Sequence, residues 1–467
     1  MNKLVRNFCY LIFVVSGLWG CSSGGDDDPV VLDPPVLVSS DPAGGATGVA
    51  AGNLTITLTF DQNVTCPSSG QSSITLGGAT VTDVSASLTG VTIEATGLEE
   101  GTDYELTIPA GVVLGPTKVG NSEIRINFST EAAVPIDITT TLSVTNPSAQ
   151  AQNVYGYLLE NYGTRILSST MANVNWNINE AEWVNLQTGK YPAIAAFDYI
   201  HFIESPANWI DYSNTTVVED WWNNNGLVAA GWHWRVPTSE GATTYTYRPE
   251  ETSFSAANAT VDGSWENDVV KADLAKIGGY LKLLQSKNIP VIWRPLHEAA
   301  GNIYEYTGGA AWFWWGAAGA DAYKALWQYM FDYFETEGLN NLIWVWTTQT
   351  GDADFYPGDA YVDIVGRDIY DESDASAIAG EFEMIQETYS NKMVTLSECG
   401  NVATISDQWT AGAKWSYFMP WYDYDRTNDT SVSDFSSTEH EYANAAWWTD
   451  AVNNDMVITR DEMPDLK

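Results

Sequence analysis

Two short apolar runs in this chain close on a glutamate. One is Ile289-Pro290-Val291-Ile292-Trp293-Arg294-Pro295-Leu296-His297-Glu298, the other Lys392-Met393-Val394-Thr395-Leu396-Ser397-Glu398. Each is long enough for a strand buried on both faces, which reads as a continuous apolar run. Chemistry in barrel enzymes sits at the C-terminal ends of such strands. Two carboxylates facing one pocket can share the acid/base and nucleophile work of glycoside hydrolysis. A single strand-end carboxylate is more commonly a loop salt bridge or a helix cap. The weight comes from numbers: Asp198, His233, Trp234, His297, Glu298, Trp346, Asp368, Tyr370, Glu398 and Trp421 all fall at the ends of candidate strands.

Other chemistries are excluded by spacing. His297-Glu298 is followed by Ala299, Ala300 and Gly301, so the second histidine of a zinc-protease helix is missing. Arg294-Pro295 also argues against one continuous helix there. No G-x-S-x-G elbow and no G-x-G-x-x-G phosphate loop is present. Only four histidines occur, and neither a metal nor a cofactor is expected. Cys399 follows Glu398 but reads as a small buried residue rather than a thiol nucleophile. Acidic residues outnumber basic ones 60 to 20, a formal charge of −40. That disfavours nucleic acid, anionic lipid and polyanionic sugars as partners, and leaves neutral polymers open. The 21 Trp and 24 Tyr must mostly pack; a minority can serve as stacking platforms for sugar rings.

The elements that must position these groups alternate strand and helix. Candidate strands are Thr164–Ser169, Tyr191–Asp198, Gly226–Trp234, the Glu298 run, Asn341–Trp346, Val362–Tyr370, the Glu398 run and Trp415–Trp421. Helical spacing follows Asp262 and Ser264 (Val270, Leu274, Ile277, Leu281, Leu284), and follows Asp321 (Tyr323, Leu326, Trp327, Met330, Phe331, Phe334) as far as Gly338. Ile378, Phe382, Ile385 and Tyr389 mark a further helix. Eight strands with intervening helices predict an α/β fold, a (β/α)8 TIM barrel over residues 144–467.

The N-terminal third differs. Residues 1–20 have a basic n-region (Lys3, Arg6) and a short apolar core, a targeting segment rather than a membrane span. Leu18-Trp19-Gly20-Cys21 resembles a lipobox, with Cys21 as the lipidation site of a lipoprotein. Residues 21–35 read as a flexible lipidated tether. Its Asp26-Asp27-Asp28 resembles surface-export signals. An outer-membrane location is expected, on the cell surface or, as the alternative, facing the periplasm, with the lipid at Cys21 as the only membrane contact. Residues 36–131 alternate in short runs such as Leu54–Phe60, rich in Thr, Val, Ser and Gly and without Trp. They predict an all-β sandwich that resembles a bacterial Ig-like domain. Residues 132–143 read as a linker.

Several motifs in order resemble glycoside hydrolase family 26, whose principal activity is β-1,4-mannanase. They are Thr188–Ala193, Trp293–Glu298, Trp312–Gly316, Tyr356–Asp359, Val362–Tyr370 and Ser397-Glu398. The resemblance implies that Glu298 is the general acid/base and Glu398 the nucleophile of a retaining enzyme. It implies that Tyr370 holds the nucleophile, that His233 and His297 contact sugar, and that Trp312 and Trp421 wall the cleft. Asp198, at the end of the second strand, is a further candidate for substrate binding. The implied partner is a neutral plant β-mannan: mannan, glucomannan or galactomannan. A mixed-linkage β-glucanase or xylanase of the same family, and a non-catalytic glycan-binding lipoprotein, stay open; oligomeric state is not legible. Related sequences pass quickly from His-Glu to the tryptophan cluster, whereas Asn302–Ala311 intervenes here, a loop that could shape the leaving-group side of the cleft.

Overall fold

A computed structural model describes residues 33–132, 136–427 and 429–467. The leader, Cys21 and the Asp26–Asp28 triplet lie outside the described residues. The chain divides into two compact units between residues 133 and 134. Among the described residues no helix is long and apolar enough to cross a membrane.

The first unit is the expected sandwich. One sheet runs Leu37–Asp41, Gly52–Phe60, Gly90–Leu98, Thr80–Ser87; the other runs Ala46–Val49, Ile124–Thr130, Asp103–Ile108, Thr75–Leu76. Alternation puts Ile56, Leu58 and Phe60 on the inner face, in one cluster with Val91, Ile93, Leu106, Ile108, Ile126 and Phe128.

The second unit is a closed barrel of eight parallel strands: Ile166–Met171, Ile194–Asp198, Leu227–Trp232, Val291–Pro295, Leu342–Thr348, Ile364–Tyr370, Met393–Gly400 and Tyr417–Pro420. Each pairs with the next, and the eighth closes on the first through Tyr417↔Leu167 and Phe418↔Ser168. Nearly every strand residue is buried, as two covered faces require. Helices cover the outside. The Ser264 hydroxyl caps Trp265–Gln285 by accepting from Asn267 N–H at 3.0 Å, and Val270, Leu274, Ile277, Leu281 and Leu284 face inward. Gly278 of that helix faces the Phe334 ring of its neighbour Ala320–Thr336.

Two features depart from the sequence reading. A short ninth strand, Val457–Ile458, pairs with Ile166 and Leu167 at the start of the first strand. It is joined there by Ser168 Oγ, which donates to Ile458 O at 2.7 Å. Two residues are too few for a periodic signal. The stretch expected as a linker belongs to the barrel from Asp137 onward. Asp137 and Thr139 N–H groups donate to Ser390 O and Asn391 O at 3.2 and 2.9 Å. Tyr155 Oη donates to Thr139 O at 2.7 Å, and Ser143 N–H to the buried Asp363 Oδ1 at 2.6 Å. Ser390, Asn391 and Asp363 are far off in sequence, so composition alone read the segment as a linker.

A chain beginning at residue 136 should therefore unfold in one cooperative transition. One beginning at residue 144 should lose about 1–3 kcal/mol in urea melts, the usual cost of leaving a buried acceptor without its donor. Equal stability of the two would show that the segment contributes nothing.

Candidate active site

The fourth strand stops at Pro295, three residues short of Glu298, which corrects the expectation that it runs to the carboxylate. Leu296 and Glu298 are both left-handed, each with φ near +50°, a conformation that ends a ladder and is sparsely populated by residues other than glycine. The turn is held by side chains behind it. Tyr323 Oη donates to Leu296 O at 3.0 Å and Trp315 Nε1 to His297 O at 2.9 Å. Gly316 packs so closely that a Cβ there would sit 1.6 Å from Ala299 O. This turn aims Glu298 at the barrel mouth.

Glu398 is within the seventh strand, just past a bulge. Arg367 pairs with Leu396 and Asp368 with Glu398, so Ser397 is the extra residue. Ser397 Oγ donates to Asp368 Oδ1 at 2.6 Å. Gly366 makes room for it: a Cβ there would be 2.4 Å from Ser397 Oγ. Both Glu398 oxygens are bound. Tyr370 Oη donates to Oε2 at 2.9 Å and Arg294 Nη2 donates to Oε1. Arg294 Nη1 also donates to Asp368 Oδ2 and Thr347 Oγ1, each at 3.1 Å. Tyr370 stands edge-on to Tyr442, ring centres 5.8 Å apart. The Tyr442 loop is anchored by buried His440, whose Nδ1 accepts from the Tyr442 and Ala443 N–H groups at 3.0 Å and whose Nε2 donates to Glu180.

The two carboxyls differ in kind. Glu298 is pushed up to about 8, first by burial and then by the charge of Asp368, against the opposing charges of Arg294 and Arg367. Below that pH it carries a proton. Tyr370 is raised well above the ordinary phenol value, first by burial and then by Asp368 and Glu298, so it remains a donor to Glu398. A proton-bearing acid and a carboxylate fixed by two donors are the complementary pair that acid/base and nucleophilic chemistry needs.

Beside them, His233 Nδ1–H donates to Asp198 Oδ2 at 2.6 Å, and His233 N–H donates to Oδ1 at 3.2 Å. Burial alone would raise the Asp198 carboxyl; the His233 ring and backbone N–H bonds outweigh it and hold the group low. His297 stands edge-on to His233, ring centres 4.5 Å apart. Burial, then Arg294 and His233, push His297 well below its ordinary value, so it is neutral. Its Nδ1 has no partner among the described residues. His233 also lines a cavity of about 460 Å³ with Trp421, Tyr247, Trp209, His201 and Tyr424.

The structure thus brings Glu298, Glu398, Tyr370, Asp198, His233, His297 and Trp421 to one mouth. Trp312 is 43% exposed, while Trp314 and Trp315 are buried. Trp234 and Trp346, read as strand-end groups, are core. Trp234 stacks on Trp232 at 4.1 Å, and Trp346 packs against Tyr356 and Tyr389. Cys399 is buried and free, its thiol pushed up by burial, which leaves it protonated. Sequence reasoning missed Arg294, the cation joining the two strand ends. Its signal was a charged residue inside an otherwise apolar run.

Fold and site together define a TIM-barrel glycosidase, and comparison with known proteins agrees. The model of glycosyl hydrolase family 26 matches residues 144–449, and that of a bacterial Ig-like domain residues 32–130. The chain belongs to glycoside hydrolase family 26. It is 30% identical over 352 residues to mannan endo-1,4-beta-mannosidase A of Piromyces sp, covering 73% of this chain and 53% of that protein. It is 30% identical over 383 residues to the mannan endo-1,4-beta-mannosidase of Thermothelomyces thermophilus, covering 77% and 73%. The chain spans about half the length of the two Piromyces relatives, 53% and 49%. Among solved structures, the family 26 domain of an endo-beta-mannanase/endo-beta-glucanase from Prevotella bryantii superposes with TM-score 0.64 at 38% identity, over 70% of this chain and 99% of that one. A beta-mannanase from a symbiotic protist of the termite Reticulitermes speratus, complexed with gluco-manno-oligosaccharide, gives TM-score 0.60 at 32% identity, over 70% and 99%.

The Glu298 environment has a consequence for stability. Its carboxyl rises from 4.5 to about 8 on folding. Folding takes up a proton in that window, so stability falls as pH rises through it. Glu298→Gln removes the titration. Its melting temperature should exceed that of the native protein at pH 8, with the excess shrinking toward pH 5. Thermal melts at both pH values check this; an excess independent of pH would contradict it.

Proposed function

We propose that the protein is a retaining endo-β-1,4-mannanase that cleaves neutral β-mannans such as mannan, glucomannan or galactomannan. The observation that carries the reading is the asymmetric carboxyl pair at the mouth of a family 26 barrel. Glu298 gives its proton to the glycosidic oxygen while Glu398 attacks the anomeric carbon and forms a glycosyl ester. Arg294 and Tyr370 aim the nucleophile. Once the ester forms, the charge on Glu398 is gone and Arg294 faces fewer carboxylates. Ionised Glu298 is then favoured and acts as base on water. Asp198 orients the His233 ring through its Nδ1, and the His233 and His297 rings offer nitrogens to sugar hydroxyls. Trp421 and Trp312 supply apolar faces for sugar C–H groups.

The distribution of aromatics supports a polysaccharide. Among the described residues, the exposed Trp and Tyr side chains are Trp209, Tyr245, Tyr304, Tyr306, Trp312, Tyr370 and Tyr424. All lie at or beyond the C-terminal ends of barrel strands. Relatives named as mannosidases, and a relative solved with gluco-manno-oligosaccharide, point to mannan within that class.

The test uses the two glutamates. On polymeric mannan, Glu298→Ala should lose at least the ~10²–10⁴-fold that general acid/base catalysis contributes. On an activated aryl β-mannoside the glycosyl-enzyme should still form, and added azide should restore turnover with a β-configured glycosyl azide by NMR. Glu398→Ala should be inactive on all substrates, azide giving at most the α product. Equal small losses with no azide adduct would favour a sugar-binding protein. Faster turnover of mixed-linkage glucan or xylan by the native protein would replace the substrate assignment.

We also propose that Cys21 is lipidated and tethers the enzyme to the outer membrane, exposed on the cell surface; the Leu18-Trp19-Gly20-Cys21 sequence supports this. Cys21→Ala should move the protein from the membrane fraction to the soluble one. Retention on membranes would refute the anchor.

A further inference from the structure

The chain leaves Glu298 and closes a loop on itself over residues 301–312. The neck of the loop is zipped. Asn302 N–H donates to Ala310 O at 3.2 Å, and Ala310 N–H donates to Asn302 Oδ1 at 2.9 Å. Gly301 and Gly309 cross here too closely for any side chain: a Cβ on Gly301 would lie 2.4 Å from Ala310 O, and one on Gly309 1.9 Å from Asn302 O. The loop is also tied to the segment after the fifth strand. Tyr304 Oη donates to Asp354 Oδ2 at 2.6 Å, and Thr350 Oγ1 donates to Glu305 Oε1 at 3.2 Å. Thr350 in turn accepts from Arg367 Nη2 at 3.1 Å.

A loop braced in this way still holds aromatic rings in water. Tyr306 is 63% exposed, Tyr304 45% and Trp312 43%. The Tyr304 hydroxyl is one of the ties, which accounts for that residue. Exposing the Tyr306 face adds nothing to the fold, and fixing it in place removes the entropy cost of ordering it later. Position gives the exposed face a use. The aromatic cavity beside His233 is lined from the segments after the eighth, first, second and third strands. The braced loop belongs to the opposite arc, after the fourth strand and bound to the fifth. A polymer that fills the cavity and passes the carboxyl pair leaves across that arc. Glu298 protonates the leaving oxygen, and this loop begins three residues beyond Glu298.

We propose that Tyr306 is a stacking platform for the leaving-group mannosyl residues, which makes it a specificity determinant of this chain. The inference rests on the mannanase reading above. The experiment compares kcat/KM on mannohexaose with kcat/KM on an aryl β-mannobioside, whose leaving group contains no sugar. In Tyr306→Ala the ratio of the two should fall about three- to tenfold, the scale of one well-placed aromatic contact. Tyr306→Phe, which keeps the ring, should hold the native ratio. The bonds cleaved in mannohexaose should shift in Tyr306→Ala toward shorter leaving groups. An unchanged ratio in Tyr306→Ala, or an equal fall in Tyr306→Phe, overturns the platform. If the native protein cleaves cello- but not manno-oligosaccharides, the mannanase reading fails instead, and the same ratio on cellohexaose and an aryl cellobioside decides the platform.

Discussion

Arg294 is the group on which the mouth of this barrel depends. Three carboxyl groups, Glu298, Asp368 and Glu398, converge in a buried space where mutual repulsion is poorly screened. Arg294, itself buried, contacts Asp368 and Glu398 directly. One cation cannot compensate three anions. The carboxyl without a direct contact to Arg294, Glu298, is the one that keeps its proton. Burial is the larger reason that this proton stays, and the charge of Asp368 adds to it. Removing that guanidinium would leave two buried carboxylates uncompensated, a far larger cost than its net contribution as a pair.

The backbone around this cation is irregular in two places, both on otherwise regular strands. The fourth strand ends in left-handed residues and the seventh carries a bulge. Each irregularity turns a carboxylate out of the alternating pattern that would point it into a packed layer. Side chains with no access to substrate hold the distortions: Tyr323 and Trp315 behind Glu298, Ser397 and Asp368 behind Glu398. Gly400 belongs to the same set. A Cβ there would lie 2.4 Å from Tyr442 and 2.8 Å from Tyr370, so glycine here leaves room for Tyr370 to reach Glu398. The loops can then vary above a scaffold that keeps the carboxyls in register.

The aromatic content is divided along the same lines. Twelve tryptophans are among the largest fully buried side chains and fill the barrel and its helix layer. They make a core that is stiff as well as apolar, since large rings leave few alternative rotamers. Among the described residues, the Trp and Tyr side chains left in water gather at the mouth. The acidic surface, with 60 Asp and Glu against 20 Lys and Arg, repels polyanions and leaves a neutral sugar polymer unaffected.

The sequence by itself determined the architecture. Apolar runs of strand length alternating with helical periodicity predicted eight barrel strands, and short alternating runs predicted the sandwich, because both patterns are local. It also placed Glu298, Glu398, Tyr370, Asp198, His233, His297 and Trp421 at strand ends, and in a parallel barrel all strand ends meet at one mouth. Tertiary structure alone decided what those residues face. Arg294 read as a stray charge in an apolar run until strands four, six and seven brought Glu398 and Asp368 to it. Trp234 and Trp346 read like Trp421, yet pack into the core, since position along a strand does not say which way the chain turns after it. Residues 137–143 read as linker because their partners, Ser390, Asn391 and Asp363, lie more than two hundred positions away. Periodicity reports the neighbours a residue has along the chain; the proton on Glu298 is set by neighbours that only folding supplies.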